Sequence, residues 1–250
     1  MSDFPRILAH RGASSLAPEN TMAAFVKAME VGAHWIEFDV DIMGDGTLLV
    51  MHDHTLDRTT TGRGGYYDKG FSDLRRLDAG GWFSDVYRFE PVPEAADVIE
   101  FLNASGLHGN LEIKPCLGGE VLRERVIETL VHTIDVLEDR ENFLVSSFDH
   151  DLLARFHAAR PEIDLGWLFE RDDASREDWR TGAAELGCRA INPGDTGLTE
   201  AEVAEMLEAG FEVNVWTVDD LERARELARW GVTGIFTNRP QDFPESALAQ

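Results

Sequence analysis

Two short motifs carry carboxylates at the spacing of a strand. In Trp35-Ile36-Glu37-Phe38-Asp39-Val40-Asp41 every second residue is acidic, and in Asn110-Leu111-Glu112-Ile113-Lys114 a glutamate and a lysine share that alternation. Extended backbone points successive side chains to opposite faces, which separates Ile36, Phe38, Val40, Leu111 and Ile113 from Glu37, Asp39, Asp41, Glu112 and Lys114. The apolar face has to be covered by helices, so the acids point inward. At ~7 Å and an effective dielectric of about 20, each pair of carboxylates repels by roughly 2 kcal/mol. Something positive must sit among them. Lys114 supplies one charge, and a hard divalent cation, Mg2+ or Ca2+, satisfies oxygen ligands directly while leaving positions for substrate and water. The expected ligands are Glu37, Asp39 and Glu112, with Asp41 left out as a residue solvated at the rim. A buried ion-pair network with Arg11 and Lys114 is the metal-free alternative.

Two histidines are placed to work beside those acids. His10 ends the first apolar strand, and Gly44-Asp45-Gly46 is a turn that returns the chain so that His52 comes back level with residues 37 to 39. Imidazole titrates near pH ~6.5, so one ring can take a proton from a nucleophile while the other gives one to a leaving oxygen, the two tasks of phosphodiester cleavage. Arg11 and Lys114 are expected to bind substrate phosphate, Arg11 through a fork geometry suited to phosphate oxygens; pairing of Arg11 with Glu19 or the acids is the competing reading. Trp216 is expected to bind substrate as an apolar wall of the pocket, a role that a core tryptophan would imitate. Zinc fits less well, because HExxH is absent and the cluster is rich in oxygen.

Elements able to hold these groups recur along the chain. Eight β-rich runs, roughly Arg6 to Ala9, His34 to Ile42, Gly109 to Lys114, Phe143 to Ser147, Asp164 to Phe169, Arg189 to Asn192, Glu212 to Val218 and Gly234 to Thr237, alternate with amphipathic stretches such as Glu19 to Val31, Val121 to Glu138, Asp149 to Ala159, Glu200 to Ala209 and Asp219 to Trp230. Thr199 and Asp219 are N-cap candidates, and Gly32, Gly210 and Gly231 are helix stops. This order predicts an α/β fold, a TIM (β/α)8 barrel formed by residues 1–250 as one domain. No GxGxxG follows the first strand, which excludes a dinucleotide site there. Thr47 to Met51 forms a hairpin with the second strand, and residues 53–91 are an insertion over the mouth, with Tyr66, Tyr67, Phe71, Trp82 and Phe83 as its own small core.

Composition narrows the partners. Of the 250 residues, 47 are acidic and 23 basic, a formal net charge of −24 that argues against nucleic acid, whose phosphates need clustered Lys and Arg. An anionic substrate would be repelled at long range unless the site were locally positive, as a bound cation would make it. The two cysteines, Cys116 and Cys188, show neither disulfide nor zinc spacing. Met1-Ser-Asp-Phe-Pro-Arg-Ile lacks the pattern of a signal peptide and no run of ~18 apolar residues occurs, so a cytoplasmic protein without stable membrane association is expected. A homo-oligomer is left open.

His10-Arg11-Gly12, Pro18-Glu19-Asn20-Thr21, Glu37-Phe38-Asp39-Val40, Asp45-Gly46, His52-Asp53, Leu56, Arg58-Thr59-Thr60, Glu112-Ile113-Lys114, Ser147-Phe148, Trp216-Thr217-Val218 and Gly231-Val232 occur in the order seen in one enzyme family. Across nearly its whole length the chain resembles the glycerophosphodiester phosphodiesterase family, closest to its compact bacterial cytosolic members. The resemblance implies a TIM barrel with an insertion after the second strand. It implies metal on Glu37, Asp39 and Glu112, with His10 and His52 as acid and base. It also implies hydrolysis of a small glycerophosphodiester to sn-glycerol 3-phosphate and an alcohol such as choline, ethanolamine or glycerol. Thr233 and Asn238 depart from the family, which often has Asp at both places. The rival activities are a phospholipase D-like lyase acting on lysolipids or sphingolipids, which would need an apolar membrane-facing mouth, and a non-catalytic metal-binding barrel.

Overall fold

The computed structural model describes residues 6–170 and 179–243. Strands β1 (Arg6–Ala9), β2 (Trp35–Ile42), β4 (His108–Ile113), β5 (Phe143–Ser147), β6 (Asp164–Phe169), β7 (Ala190–Pro193), β8 (Glu212–Val215) and β9 (Gly234–Thr237) pair in parallel, and β1 hydrogen-bonds to both β9 and β2. The ring is therefore closed, with helices between strands: a TIM barrel, as the alternation predicts. Strand β3 (Leu48–Val50) lies antiparallel on β2 with Val40 opposite Val50, the predicted hairpin. The helices are α1 (Met22–Glu30), α2 (Phe71–Leu74), α3 (Ala95–Ser105), α4 (Glu120–Thr133), α5 (His150–Ala159), α6 (Gly182–Leu186), α7 (Glu200–Glu208) and α8 (Leu221–Arg229). None of the described helices is long and apolar enough to cross a membrane. Met1 to Pro5, most of the stretch whose composition lacks a signal-peptide pattern, lies outside the described residues.

The outer face of β2 behaves as its alternation requires. Ile36, Phe38 and Val40 are wholly buried in the layer between sheet and helices, with Phe38 edge-on to Phe25 of α1. Burying each such side chain contributes about 1.5–3 kcal/mol, which makes this face the one that fixes the register. Inside the ring the composition changes with height. Leu8, Trp35, Leu144, Ala190 and Phe236 form an apolar plug, above which Asn110 bonds Ser146 and Asn192 bonds Asn214, each at 3.0 Å. The charged groups lie above that, at the C-terminal ends of the strands.

Two local expectations change. The N-cap of α8 is Asp220, which accepts from the Arg223 amide at 2.8 Å, not Asp219; the preceding strand stops at Val215, so the helix begins later than the periodicity suggests. Thr199 does cap α7, and the Glu202 carboxylate returns a bond to the Thr199 amide at 3.0 Å. In the segment after β3, Tyr66 is buried with Met43, Leu49, Met51, Leu56, Leu74, Ala79 and Val92, and Tyr67 packs at the edge. Phe71, Trp82 and Phe83 do not join this small core: Phe71 and Trp82 are exposed, and the half-buried Phe83 packs edge-on against Trp82 and Tyr87 instead. Leu49 of β3, the flanking Met43, Met51 and Val92, and Leu56, Leu74 and Ala79 of the insertion pack around Tyr66 in their place.

Candidate active site

The register of two neighbouring strands brings the acids together. Asp39 pairs with Glu112 and Glu37 with Asn110 across β2 and β4, and alternation turns all three acids into the ring. One oxygen from each of Glu37, Asp39 and Glu112 lies within 4.8 Å of the others, and all three residues are buried. Lys114 bridges two of them, with Nζ 2.7 Å from Glu112 Oε1 and 3.2 Å from Asp39 Oδ1. Arg11 serves the third: its amide donates to Glu37 Oε2 at 2.9 Å, while Nη1 donates to Glu19 at 2.8 Å and Nε lies 3.4 Å from Asp39 without a hydrogen bond.

That contact depends on backbone in the left-handed region. Arg11 has φ +58°, which turns its N–H back toward Glu37, and Gly12 follows at φ +81°. A Cβ on Gly12 would lie 2.7 Å from Ala24, so only glycine fits where the loop passes under α1. Asn20, also left-handed at φ +56°, donates from Nδ2 to Asp39 Oδ2 at 2.8 Å.

Three buried carboxylates face two cations, which leaves a deficit of one positive charge. It appears in the titration of the acids. Burial, then repulsion from Asp39 and Glu112, pushes Glu37 well above the usual carboxylate range. Burial pushes Glu112 up to about 7 against the pull of Lys114. Asp39 goes the other way: burial would raise it, but Lys114 and Arg11 together hold it well below its ordinary value. The ion-pair network foreseen as an alternative is present yet incomplete, and without a further cation a proton must fill the gap. The donor set is carboxylate oxygen only, and a 4.8 Å spread matches about twice the metal–oxygen distance of a calcium-like ion. These residues fit a hard dication.

Both histidines open on the same cavity, about 530 Å³ including its open mouth, which is lined by His10, Arg11, Glu37, His52, Glu112, Trp216 and others. Their outer nitrogens are held differently. His52 Nδ1 lies 2.8 Å from Asp53 Oδ1, and Asp53 is gripped by Arg58, which also reaches Glu19 at 2.6 Å. His10 Nδ1 lies 2.8 Å from Asn238 Oδ1. Asn238 Nδ2 donates to Asp219 Oδ2 at 2.8 Å, so its amide cannot be reversed and His10 must carry its proton on Nδ1. Burial, then Arg11, lowers His10 to about 4, while His52 is lowered by burial with Asp39 and Asp53 opposing.

Sequence reasoning missed several supporting groups. Asn20, Asp53 and Arg58 were visible only as members of recurring motifs, and Asn238 only as a departure. Thr233, the other departure, has a structural job, with its hydroxyl donating to Val213 O at 2.9 Å across β8 and β9. Asp41 is no rim residue: it is fully buried and accepts from the hydroxyls of Tyr66 and Tyr67, each at 2.7 Å, thereby tying the segment after β3 to the barrel. Trp216 lines the cavity, its Nε1 donating to Asn192 O at 2.8 Å.

Comparison with known proteins adds an independent finding. Residues 10–242 match the Glycerophosphoryl diester phosphodiesterase family. The chain is 34% identical over 235 residues to the glycerophosphodiester phosphodiesterase of Caldanaerobacter subterraneus subsp. tengcongensis, covering 94% of each chain. It is 35% identical over 246 residues to that of Bacillus altitudinis, covering 97% of this chain and 96% of the relative. Among solved structures, an Oleispira antarctica phosphodiesterase in complex with the product sn-glycerol-3-phosphate superposes with a TM-score of 0.89 at 32% identity, covering 99% and 98% of the two chains.

Proposed function

Since the chain belongs to the glycerophosphoryl diester phosphodiesterase family and hydrolyses glycerophosphodiesters, we propose that His10 and His52 are its base and acid and that Glu37, Asp39 and Glu112 hold one divalent cation, Mg2+ or Ca2+. The observation that carries this reading is the convergence of three buried carboxylates, one cation short of neutrality, between two imidazoles on one cavity.

The dication, when bound, supplies positive charge to a phosphate oxygen and to the glycerol end of the substrate. The chain does the rest. Arg11 has an unspent Nε–H aimed toward the acid cluster, and Lys114 offers the hydrogens that Glu112 and Asp39 do not use; both spread charge that develops on the phosphate. Trp216 closes the far side as an apolar wall for the substrate's carbon skeleton. His10, backed by a neutral amide and held far below its ordinary pKa, presents a bare Nε2 and acts as the base. His52 is also lowered by burial, but Asp39 and the Asp53 carboxylate behind its Nδ1 oppose that shift where His10 has only a neutral amide behind it, so His52 is assigned as the acid on the departing alcohol. Two like groups whose surroundings differ in charge divide the two proton transfers between them. The products are sn-glycerol 3-phosphate and a free alcohol, and residues 1–250 act as one domain.

The test is turnover of glycerophosphocholine with product identification, with and without chelator. His10→Ala and His52→Ala are each expected to lower kcat by ~10²-fold or more, and chelation to abolish the activity until Mg2+ or Ca2+ is restored. Near-normal rates from both variants would overturn the assignment.

A further inference from the structure

The acids and their cations occupy one half of the cavity. The three acids come from β2 and β4, which in the closed ring lie opposite β7 and β8, and Arg11 follows β1 beside them. Around the remainder of the ring, from β5 next to β4 through β6 to β8, the inward alternation runs Leu144, Ser146, Phe148, then Gly166, Leu168, Glu170, then Glu212, Asn214, Trp216. Phe148, Glu170 and Trp216 are each the first residue past the end of their strand, and all three line the cavity with Leu168 and Phe236. The rings of Phe148 and Trp216 meet at 90° with centroids 5.4 Å apart, and the bond from Trp216 Nε1 to Asn192 fixes the corner. Glu170 is exposed and forms no ion pair among the described residues.

From this geometry we propose that the corner receives the leaving alcohol and selects alcohols that carry an alkylammonium group, as in choline or ethanolamine diesters. The inference rests on the phosphodiesterase reading above and names the substrate class. Glycerol hydroxyls need hydrogen-bond partners, which lie on the acid side; two aromatic rings, Leu168 and Phe236 offer few. A quaternary trimethylammonium, which has no N–H to donate, asks for the opposite: apolar contact for its methyl groups, ring faces for its spread charge and a carboxylate near the mouth. Net charge points the same way. A chain of formal charge −24 repels a diester whose alcohol is neutral, because that diester is a net anion, but not a zwitterion of net charge zero.

The experiment compares metal-loaded wild type and Glu170→Gln on three diesters: glycerophosphocholine, its uncharged isostere with a 3,3-dimethylbutyl alcohol, and glycerophosphoglycerol. Wild type is expected to prefer the choline diester over the isostere by about tenfold in kcat/KM, and Glu170→Gln to cut that ratio to about two- or threefold through the choline substrate alone. Equal kcat/KM for the charged and uncharged isosteres in wild type, or an equal loss on all three diesters in the variant, would overturn the proposal. Binding of choline itself, against 3,3-dimethylbutanol, read by tryptophan fluorescence, needs no turnover. Choline binding at least about fivefold tighter supports the subsite even in a protein that cleaves none of the diesters, a result that would remove the proposed reaction instead. Indifference to the charge removes the subsite while leaving hydrolysis intact.

Discussion

Replacing Lys114 with methionine separates the electrostatics of the site from its packing. The ammonium lies 2.7 Å from Glu112 and 3.2 Å from Asp39, both buried, and methionine preserves much of its stem while deleting the charge. At an effective dielectric of about 20, each contact corresponds to roughly 5–6 kcal/mol of direct attraction. Most of that is offset, since the variant no longer desolvates an ammonium and a carboxylate can take up a proton instead. The net loss expected for breaking one side of a buried pair is about 3–5 kcal/mol. Glu112, at about 7 with Lys114 beside it, should move higher. Lys114→Met without metal is therefore expected to unfold at lower urea by that amount at pH 8. The effect on metal runs the other way: with one competing cation gone, the dication should bind more tightly, and at a hundredfold excess over Kd it returns about 2.7 kcal/mol. Turnover should still fall by about 10- to 100-fold, because a donor to the phosphate is lost. Urea unfolding followed by circular dichroism, with chelator and with Mg2+ or Ca2+, and calorimetric titration of the metal provide the measurements. A metal-free variant as stable as wild type, or one that binds metal more weakly, would refute the view that lysine and dication compensate the same acids.

The remaining predictions address the other groups. Dication affinity should rise as pH is raised from about 5 to 8, because protons on Glu112, whose pKa is about 7, and on Glu37, which burial and its acidic neighbours also raise, must leave before their oxygens can ligate; a flat profile over that range would contradict this. Tyr66→Phe removes one of two hydroxyls on the buried Asp41 and should cost about 1.5–3 kcal/mol of stability, read by thermal or urea unfolding. Asn238→Asp places a carboxylate against His10 Nδ1 and should raise the titration of that imidazole above about 4, observable by NMR of the ring protons; an unchanged titration would mean that Asn238 does not govern His10.

Sequence alone determined the features that depend on periodicity. Glu37, Asp39, Glu112 and Lys114 could be aimed inward because strand alternation has a period of two and one face was unmistakably apolar, and the turn residues Gly44-Asp45-Gly46 located the hairpin that returns His52. Eight runs separated by helical stretches sufficed for the barrel, because parallel strands leave few ways to cover both faces. What remained hidden was everything set by pairs distant in the chain. Asp41 obeys the same alternation as Glu37, yet whether it meets water or two tyrosine hydroxyls depends on how residues 66 and 67 fold back over it. Asn238 lies 228 positions from His10, and only closure of β9 against β1 makes it the group that fixes the imidazole's proton. The charge deficit at the acids likewise arises from distances that no local pattern encodes: Arg11 turns toward Glu37 through a left-handed backbone, and Lys114 reaches across to β2. Periodicity fixes the direction of a side chain, but its partners, and with them its protonation, depend on which segments the closed ring brings within a few ångströms.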